Sequence, residues 1–198
     1  TGQFLAKSAP FVPQHNLFKK PSAEGTVVYP GILGGANWSP VSVNEQQQTV
    51  YVAAMHSPIK YTLHDTEVKA DEKPLRYAAS EPTNDERWGV LSAIDLKTGQ
   101  IAWQNKTSQP LVGGVLATAG GLLFCGEGDG KFAAYDSQTG QLLWQYQSEY
   151  GVNAPPITYQ INGEQYIAVA SGGNSLFGFK QGDRILTFKL PSGRPSNN

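Results

Sequence analysis

Residues 93–103 read Ala-Ile-Asp-Leu-Lys-Thr-Gly-Gln-Ile-Ala-Trp, and residues 134–144 read Ala-Tyr-Asp-Ser-Gln-Thr-Gly-Gln-Leu-Leu-Trp, with Ala, Asp, Thr, Gly, Gln and Trp identical in register. The copies are 41 residues apart, a spacing that matches the roughly 40–45 residues of a four-stranded propeller blade. Within each copy a strand ends at the Asp, whose carboxylate accepts from backbone N–H groups just ahead of it, and the Thr-Gly pair reverses the chain, Gly supplying a positive φ. The returning strand carries Trp103 or Trp144 four residues past the Gly. An indole there suits a crevice between blades, where its N–H finds a backbone partner. Both rings are therefore expected to be mostly buried.

Composition agrees with an all-β repeat protein. The chain has 198 residues, 39% hydrophobic, with 22 Gly and 13 Pro, which suits short strands joined by many turns. No apolar run approaches the roughly 18–20 residues of a membrane-spanning helix, and no signal peptide is evident. A net charge of −1 with scattered Lys and Arg argues against a nucleic-acid surface. The lone Cys125, inside the apolar run Leu122-Leu123-Phe124-Cys125, reads as a small buried hydrophobe.

Working outward, Thr1-Gly2-Gln3-Phe4-Leu5 matches the second half of the repeated phrase, so an orphan strand is expected there and Thr1 is not expected to be a natural start. Thr26–Pro30 is the one strand-like piece of residues 6–33. A first blade spans about residues 37–106, with strands at Pro40–Val43, Thr49–Ala53, Gly89–Asp95 and Gln100–Gln104. Residues 55–88 interrupt it; they hold 12 of the chain's 31 charged residues and read as a solvated rim loop, either an idle insertion or a contact for a partner subunit or electron acceptor. A second blade occupies 111–147, and a third 152–190, with strands at Ile157–Gln160, Gln165–Ala170, Leu176–Phe179 and Ile185–Leu190. The tail from Pro191 reads as disordered. Three blades and an orphan strand fall short of the roughly four to eight that close a ring. The fold class is thus a partial β-propeller, and the chain is expected to be a C-terminal fragment of one propeller domain.

The Ala-x-Asp-x-x-Thr-Gly-x-x-x-Trp phrase resembles the tryptophan-docking motif of the quinoprotein alcohol dehydrogenases, which use pyrroloquinoline quinone (PQQ). Gly34-Gly35-Ala36-Asn37-Trp38-Ser39-Pro40 is similar to that family's Gly-Gly-x-Asn-Trp-x-Pro, and Gly113–Gly120 to its Gly-Gly-Thr-x-Ala-Thr-Ala-Gly. The resemblance covers nearly all of the chain except 55–88 and corresponds to the last three or so blades of an eight-bladed ring. It implies a periplasmic oxidoreductase that passes hydride from a small alcohol to PQQ, with Ca²⁺ or a lanthanide as Lewis acid and a carboxylate as base. In the family the metal ligands and the catalytic Asp lie in earlier blades, so no catalytic or metal-binding residue is expected here. The partners implied are the rest of the propeller and a cytochrome electron acceptor.

Residue by residue, the resemblance makes Asn37 a cofactor contact, by its amide, where the residue alone reads also as a turn-capping Asn, and Trp38 either a pocket wall or part of a blade core. Gly113 and Gly173 are expected to join Asn37 at one mouth of the channel, where glycine lets backbone approach a flat ligand closely. Asn174 stands where methanol dehydrogenases carry a Trp, and Leu111 and Val112 where those enzymes place the Trp that floors the quinone. Gly126-Glu127-Gly128-Asp129-Gly130 lacks the Lys-Ser/Thr of a phosphate loop and reads as a tight turn. His15, His56 and His64 make no metal spacing with Cys125. The other class that shares these repeats is the non-catalytic scaffold of outer-membrane assembly, which needs the docking Trp but no pocket-facing Asn-Trp.

Overall fold

The computed structural model describes residues 2–4, 6–68, 71 and 73–189. Leu190 and the tail from Pro191, expected to be disordered, lie outside those residues. Among the described residues there are fourteen strands: β1 Thr26–Val28, β2 Ser42–Asn44, β3 Thr49–His56, β4 Ile59–Asp65, β5 Arg76–Pro82, β6 Trp88–Asp95, β7 Ile101–Thr107, β8 Val115–Ala117, β9 Leu122–Gly126, β10 Lys131–Asp136, β11 Leu142–Gln147, β12 Ile157–Ile161, β13 Glu164–Ser171 and β14 Arg184–Lys189. They pair antiparallel into four sheets, ordered β2-β3-β6-β7, β8-β9-β10-β11, β12-β13-β14 and β1-β4-β5. The first three are successive blades, so the expected all-β partial propeller is the fold.

The period of two along each strand builds the core between blades. Leu123 and Cys125 of β9 and Ala133 and Tyr135 of β10 face back to Tyr51, Ala53, Leu91 and Ala93 of the first blade. Their neighbours Phe124, Phe132 and Ala134 face forward to Ile167 and Val169 of the third. The middle strands are therefore buried on both sides and read as apolar runs. Cys125 is 3% exposed, and burial pushes its thiol up to about 12, so it is the inert hydrophobe expected.

The repeated phrase folds the same way twice. Asp95 Oδ1 accepts from the N–H of Lys97 (2.9 Å) and of Thr98 (2.7 Å), and Asp136 Oδ1 from those of Gln138 (3.0 Å) and Thr139 (2.7 Å). Gly99 and Gly140 follow at φ +70° and +75°. The Trp103 indole N–H donates to Ser137 O of the next blade at 3.1 Å. Its ring lies over Gly140, where a Cβ would come within 2.7 Å.

Four expectations are corrected. Trp144 is 40% exposed rather than mostly buried: it meets Phe132 and Phe188 edge-on, but the stretch after β14, which corresponds to the turn that covers Trp103, lies outside the described residues. Residues 55–88 are not a plain loop. Their alternating Ile59–Asp65 and Arg76–Pro82 form a hairpin, β4-β5, that adds β1 as a third strand. The bidentate pair of Arg76 with Asp65, at 2.7 and 2.9 Å, fastens the far end of that hairpin. The third blade has three strands among the described residues, because Leu176–Phe179 is no strand. A 3-10 turn, Ser175–Phe177, occupies the connection, and β14 pairs directly with β13. Residues 2–4 form no strand either, and Phe4 is 76% exposed. The following segment is laid against the first blade by single bonds, Ala9 N–H to Gly99 O at 2.9 Å and the Gln104 side chain to Phe11 O at 3.0 Å.

Candidate cofactor-facing end of the propeller

Antiparallel order sorts the connections onto two ends of the sheets. The β2–β3, β6–β7, β8–β9 and β10–β11 turns lie at one end, where Ser137 Oγ meets Gln47 at 3.2 Å. The openings of β2, β8 and β12, the β4-β5 hairpin, Gly126–Gly130 and the loop between β13 and β14 lie at the other. That second end carries every residue singled out for cofactor contact: Asn37, Trp38, Gly113, Gly173 and Asn174.

The openings are locked to one another along the row. Ser39 Oγ donates to Val112 O at 2.9 Å, and Val115 N–H to Pro40 O at 3.2 Å, seating the Asn37 loop beside Gly113-Gly114. A Cβ on Gly114 would come within 2.6 Å of Pro40, and one on Gly113 within 3.0 Å of Ala154 O. Val152 N–H donates to Glu127 O at 3.0 Å, and Gly173 N–H to Gly151 O at 2.9 Å. What crowds the absent Cβ of Gly113 and Gly173 is therefore protein backbone, Asn153 and Ala154 in one case and Lys180 and Gln181 in the other. Glycine is demanded by blade-to-blade contact at Gly113 and by the fold of the β13–β14 loop on itself at Gly173, reasons independent of any ligand.

Trp38 is 78% exposed, which excludes a place in the blade core. The Asn174 side chain caps the 3-10 turn, Oδ1 accepting from Leu176 N–H at 3.1 Å. Leu111, at the position of the flooring Trp in methanol dehydrogenases, is 1% exposed and packs in the core between the first and second blades. The Gly126–Gly130 segment is the tight turn expected, closed by Gly130 N–H to Glu127 O at 3.1 Å. Glu127 is buried and ion-paired with Lys131, and burial raises its carboxyl above the usual range.

Asn153 escapes the sequence reading, and His56 is weighed there only as a metal ligand. Both polar atoms of the Asn153 amide are buried with no hydrogen-bond partner among the described residues, and its Oδ1 lies against Gly151. A buried amide left unpaired is costly; the signal for it, an Asn in the Gly-Val-Asn-Ala-Pro-Pro opening of β12, is legible only once that opening is known to face this end. His56 is 7% exposed, stacked on Trp88 at 4.8 Å and edge-on to Tyr29 at 5.1 Å, with burial lowering its pKa. Among the described residues no three His, Cys, Asp or Glu side chains gather as metal donors, and no helix is long and apolar enough to cross a membrane.

A blade-to-blade indole contact and a row of paired openings join successive blades of a β-propeller, and comparison with known proteins gives its family. Residues 6–167 match the family model for the PQQ glucose/ethanol/alcohol dehydrogenase β-propeller domain, and the chain belongs to this family. It is 36% identical over 178 residues to the quinoprotein ethanol dehydrogenase of Pseudomonas aeruginosa, covering 83% of this chain and 29% of that protein. It is 33% identical over 199 residues to the quinoprotein alcohol dehydrogenase PedH of Pseudomonas putida, covering 90% of this chain and 33% of that one. Among solved structures, the quinohemoprotein alcohol dehydrogenase of Comamonas testosteroni superposes with a TM-score of 0.69 at 29% identity, over 83% of this chain and 27% of that one. The chain thus spans about a third or less of the length of these relatives.

Proposed function

We propose that this chain is the C-terminal portion of a periplasmic, PQQ-dependent alcohol dehydrogenase, and that its openings form one side of the cofactor pocket. The observation that carries the reading is the meeting of Asn37, Trp38, Gly113, Asn153 and Gly173 at one end of three successive blades, inside a chain of this family.

The groups present suit a flat, carboxylated quinone. The Asn37 amide offers both donor and acceptor to a polar edge, the orphaned Asn153 amide calls for a polar partner, and the exposed Trp38 indole supplies an apolar wall. PQQ, when bound, supplies the hydride acceptor for oxidation of a small alcohol. The task of this chain's residues is to orient that ring and to exclude water from it. Asn174, committed to its turn, contributes by holding the loop rather than through a free amide. The ion, Ca²⁺ or a lanthanide, and the base are assigned to the preceding blades, which are the chain's first partner; a cytochrome accepts the electrons.

Reconstitution of the full-length protein with PQQ and Ca²⁺ or a lanthanide tests this. Dye-linked alcohol oxidation is expected from the full-length protein and none from the 198-residue chain alone. Asn37→Ala in the full-length enzyme should weaken PQQ retention by about 1–3 kcal/mol, the usual cost of an unpaired buried polar group, with folding little changed. Unchanged PQQ affinity would remove Asn37 from the site. Full-length protein that neither binds PQQ nor oxidises any alcohol would overturn the reading.

A further inference from the structure

The guanidinium of Arg87 lies over the ring of Phe177, 5.4 Å from its centroid. The two residues belong to non-adjacent blades: Arg87 closes the β4-β5 insertion of the first, and Phe177 stands in the 3-10 turn of the third that Asn174 caps. Phe177 is held in turn by stacking on Phe179 at 5.6 Å, and Phe179 seats its ring on Gly128 of the second blade. The rim connections of three blades thus converge under one cation.

Among the described residues, Arg87 differs from its kind in having no acid. Of the three arginines among the described residues, Arg76 is paired with Asp65 at 2.7 Å and Arg184 with Glu149 at 3.1 Å. Arg184 and Lys180 also lie over an aromatic face, that of Tyr150, yet both are neutralised by Glu149. The carboxylates next to Arg87 in sequence are engaged elsewhere. Glu86 binds Lys106 at 3.0 Å, and Asp85 accepts from Thr83 at 3.0 Å and from Tyr29 at 3.4 Å. An arginine stacked on a ring keeps the edge of its planar fork free, which is pre-organised for the two oxygens of a carboxylate.

We infer that Arg87, held on Phe177, is a carboxylate-binding residue at the rim of the cofactor-facing end. This rests on the reading of that end as the mouth through which ligands enter. A carboxylate can come from the substrate, as a hydroxy acid rather than a plain alcohol, or from the cofactor, and the two sources are separable.

In the full-length protein, equilibrium binding of malate and of PQQ to the wild type and to Arg87→Gln decides the inference without any turnover. Binding of one of the two weakened about tenfold or more by the substitution is expected, as for loss of a charge-assisted pair; a substitution that changes the binding of neither overturns it. Phe177→Leu, which keeps the charge but removes its platform, should weaken the same binding by a smaller factor. With reconstituted enzyme, a raised KM for malate and an unchanged KM for ethanol identifies the substrate as the source, and PQQ retention weakened for every substrate identifies the cofactor. Absence of PQQ-dependent turnover in the wild type would instead defeat the dehydrogenase reading, leaving the binding result to stand or fall alone.

Discussion

Trp103 and Trp144 occupy the same position of the same phrase and have different surroundings. Trp103 has a blade to dock on. Its N–H is satisfied by Ser137 O, its ring covers Gly140, and the Asn105 amide beside it donates to Gly140 O at 2.6 Å. Trp144 meets Phe132 of its own blade and Phe188 of β14 in the next, and lines an apolar groove of about 520 Å³ with Phe124 and Ile167. An indole in this repeat is therefore not buried by its own strand. The outer turn of the following blade buries it, so each blade's stability is in part a property of its neighbour.

The largest expected effect follows from that difference. Trp103→Ala should destabilise the protein by about 3–5 kcal/mol, as a large-to-small change at a packed site that also strands Ser137 O. Trp144→Ala should cost roughly half as much, because part of the ring is already in water. Denaturant unfolding of the two variants measures both, and equal losses would mean that Trp144 is covered in solution as fully as Trp103.

The turn beneath the indole is the next place to break the pattern. Gly140→Ala places a methyl against the Trp103 ring at φ +75°, and should cost about 2–3 kcal/mol from backbone strain together with displacement of the ring. Gly163 has a similar φ of +82° but open space where its Cβ would lie. Gly163→Ala should therefore show the backbone cost alone, about 1–2 kcal/mol. If the two losses match, Trp103 does not press on its turn.

The sequence carried the blade strands because their signals are local: an Asp-x-x-Thr-Gly turn and a period of two. It carried the Asn37, Gly113 and Gly173 positions through a resemblance, whereas the backbone contacts that require glycine lie between blades at Gly113 and across the β13–β14 loop at Gly173, and have no signature in the chain. The β4-β5 hairpin was hidden by its charge. Its strands alternate, but Lys60, Asp65, Arg76 and Glu81 pair across the sheet at the surface, Lys60 with Glu81 at 3.1 Å, and such strands read as loop when burial is the criterion. Leu176–Phe179 failed for the opposite reason. An apolar run of four suggested a strand, yet Asn174 at its head caps a 3-10 turn and Gly178 at φ +73° ends it. Arg87 over Phe177 joins positions 90 residues apart, beyond any pattern in the chain.

The smallest expected effect compares the two Asp turns through pH. The Thr98 backbone N–H, with its hydroxyl, holds Asp95 below the ordinary 3.8, and Thr139 does the same for Asp136. A carboxyl whose folded pKa is depressed contributes stability that is fully present above its unfolded value and is lost as pH falls through the folded one. Each turn should thus help at neutral pH and cease to help below 3.8. Asp→Asn keeps the Oδ1 acceptor and removes the titration, so each variant should be slightly weaker than wild type at neutral pH, with the gap closing as the solution is acidified. The turns are not equivalent beyond this. Asp136 shapes the turn that holds Trp103, whereas the Asp95 turn receives the single bond from Ala9 N–H to Gly99 O. Asp136→Asn should therefore shift the tryptophan fluorescence where Asp95→Asn does not. Unfolding midpoints and emission spectra followed from neutral pH into acid test both points; a gap that stays constant with pH would show that the carboxylate charge plays no part in the turn.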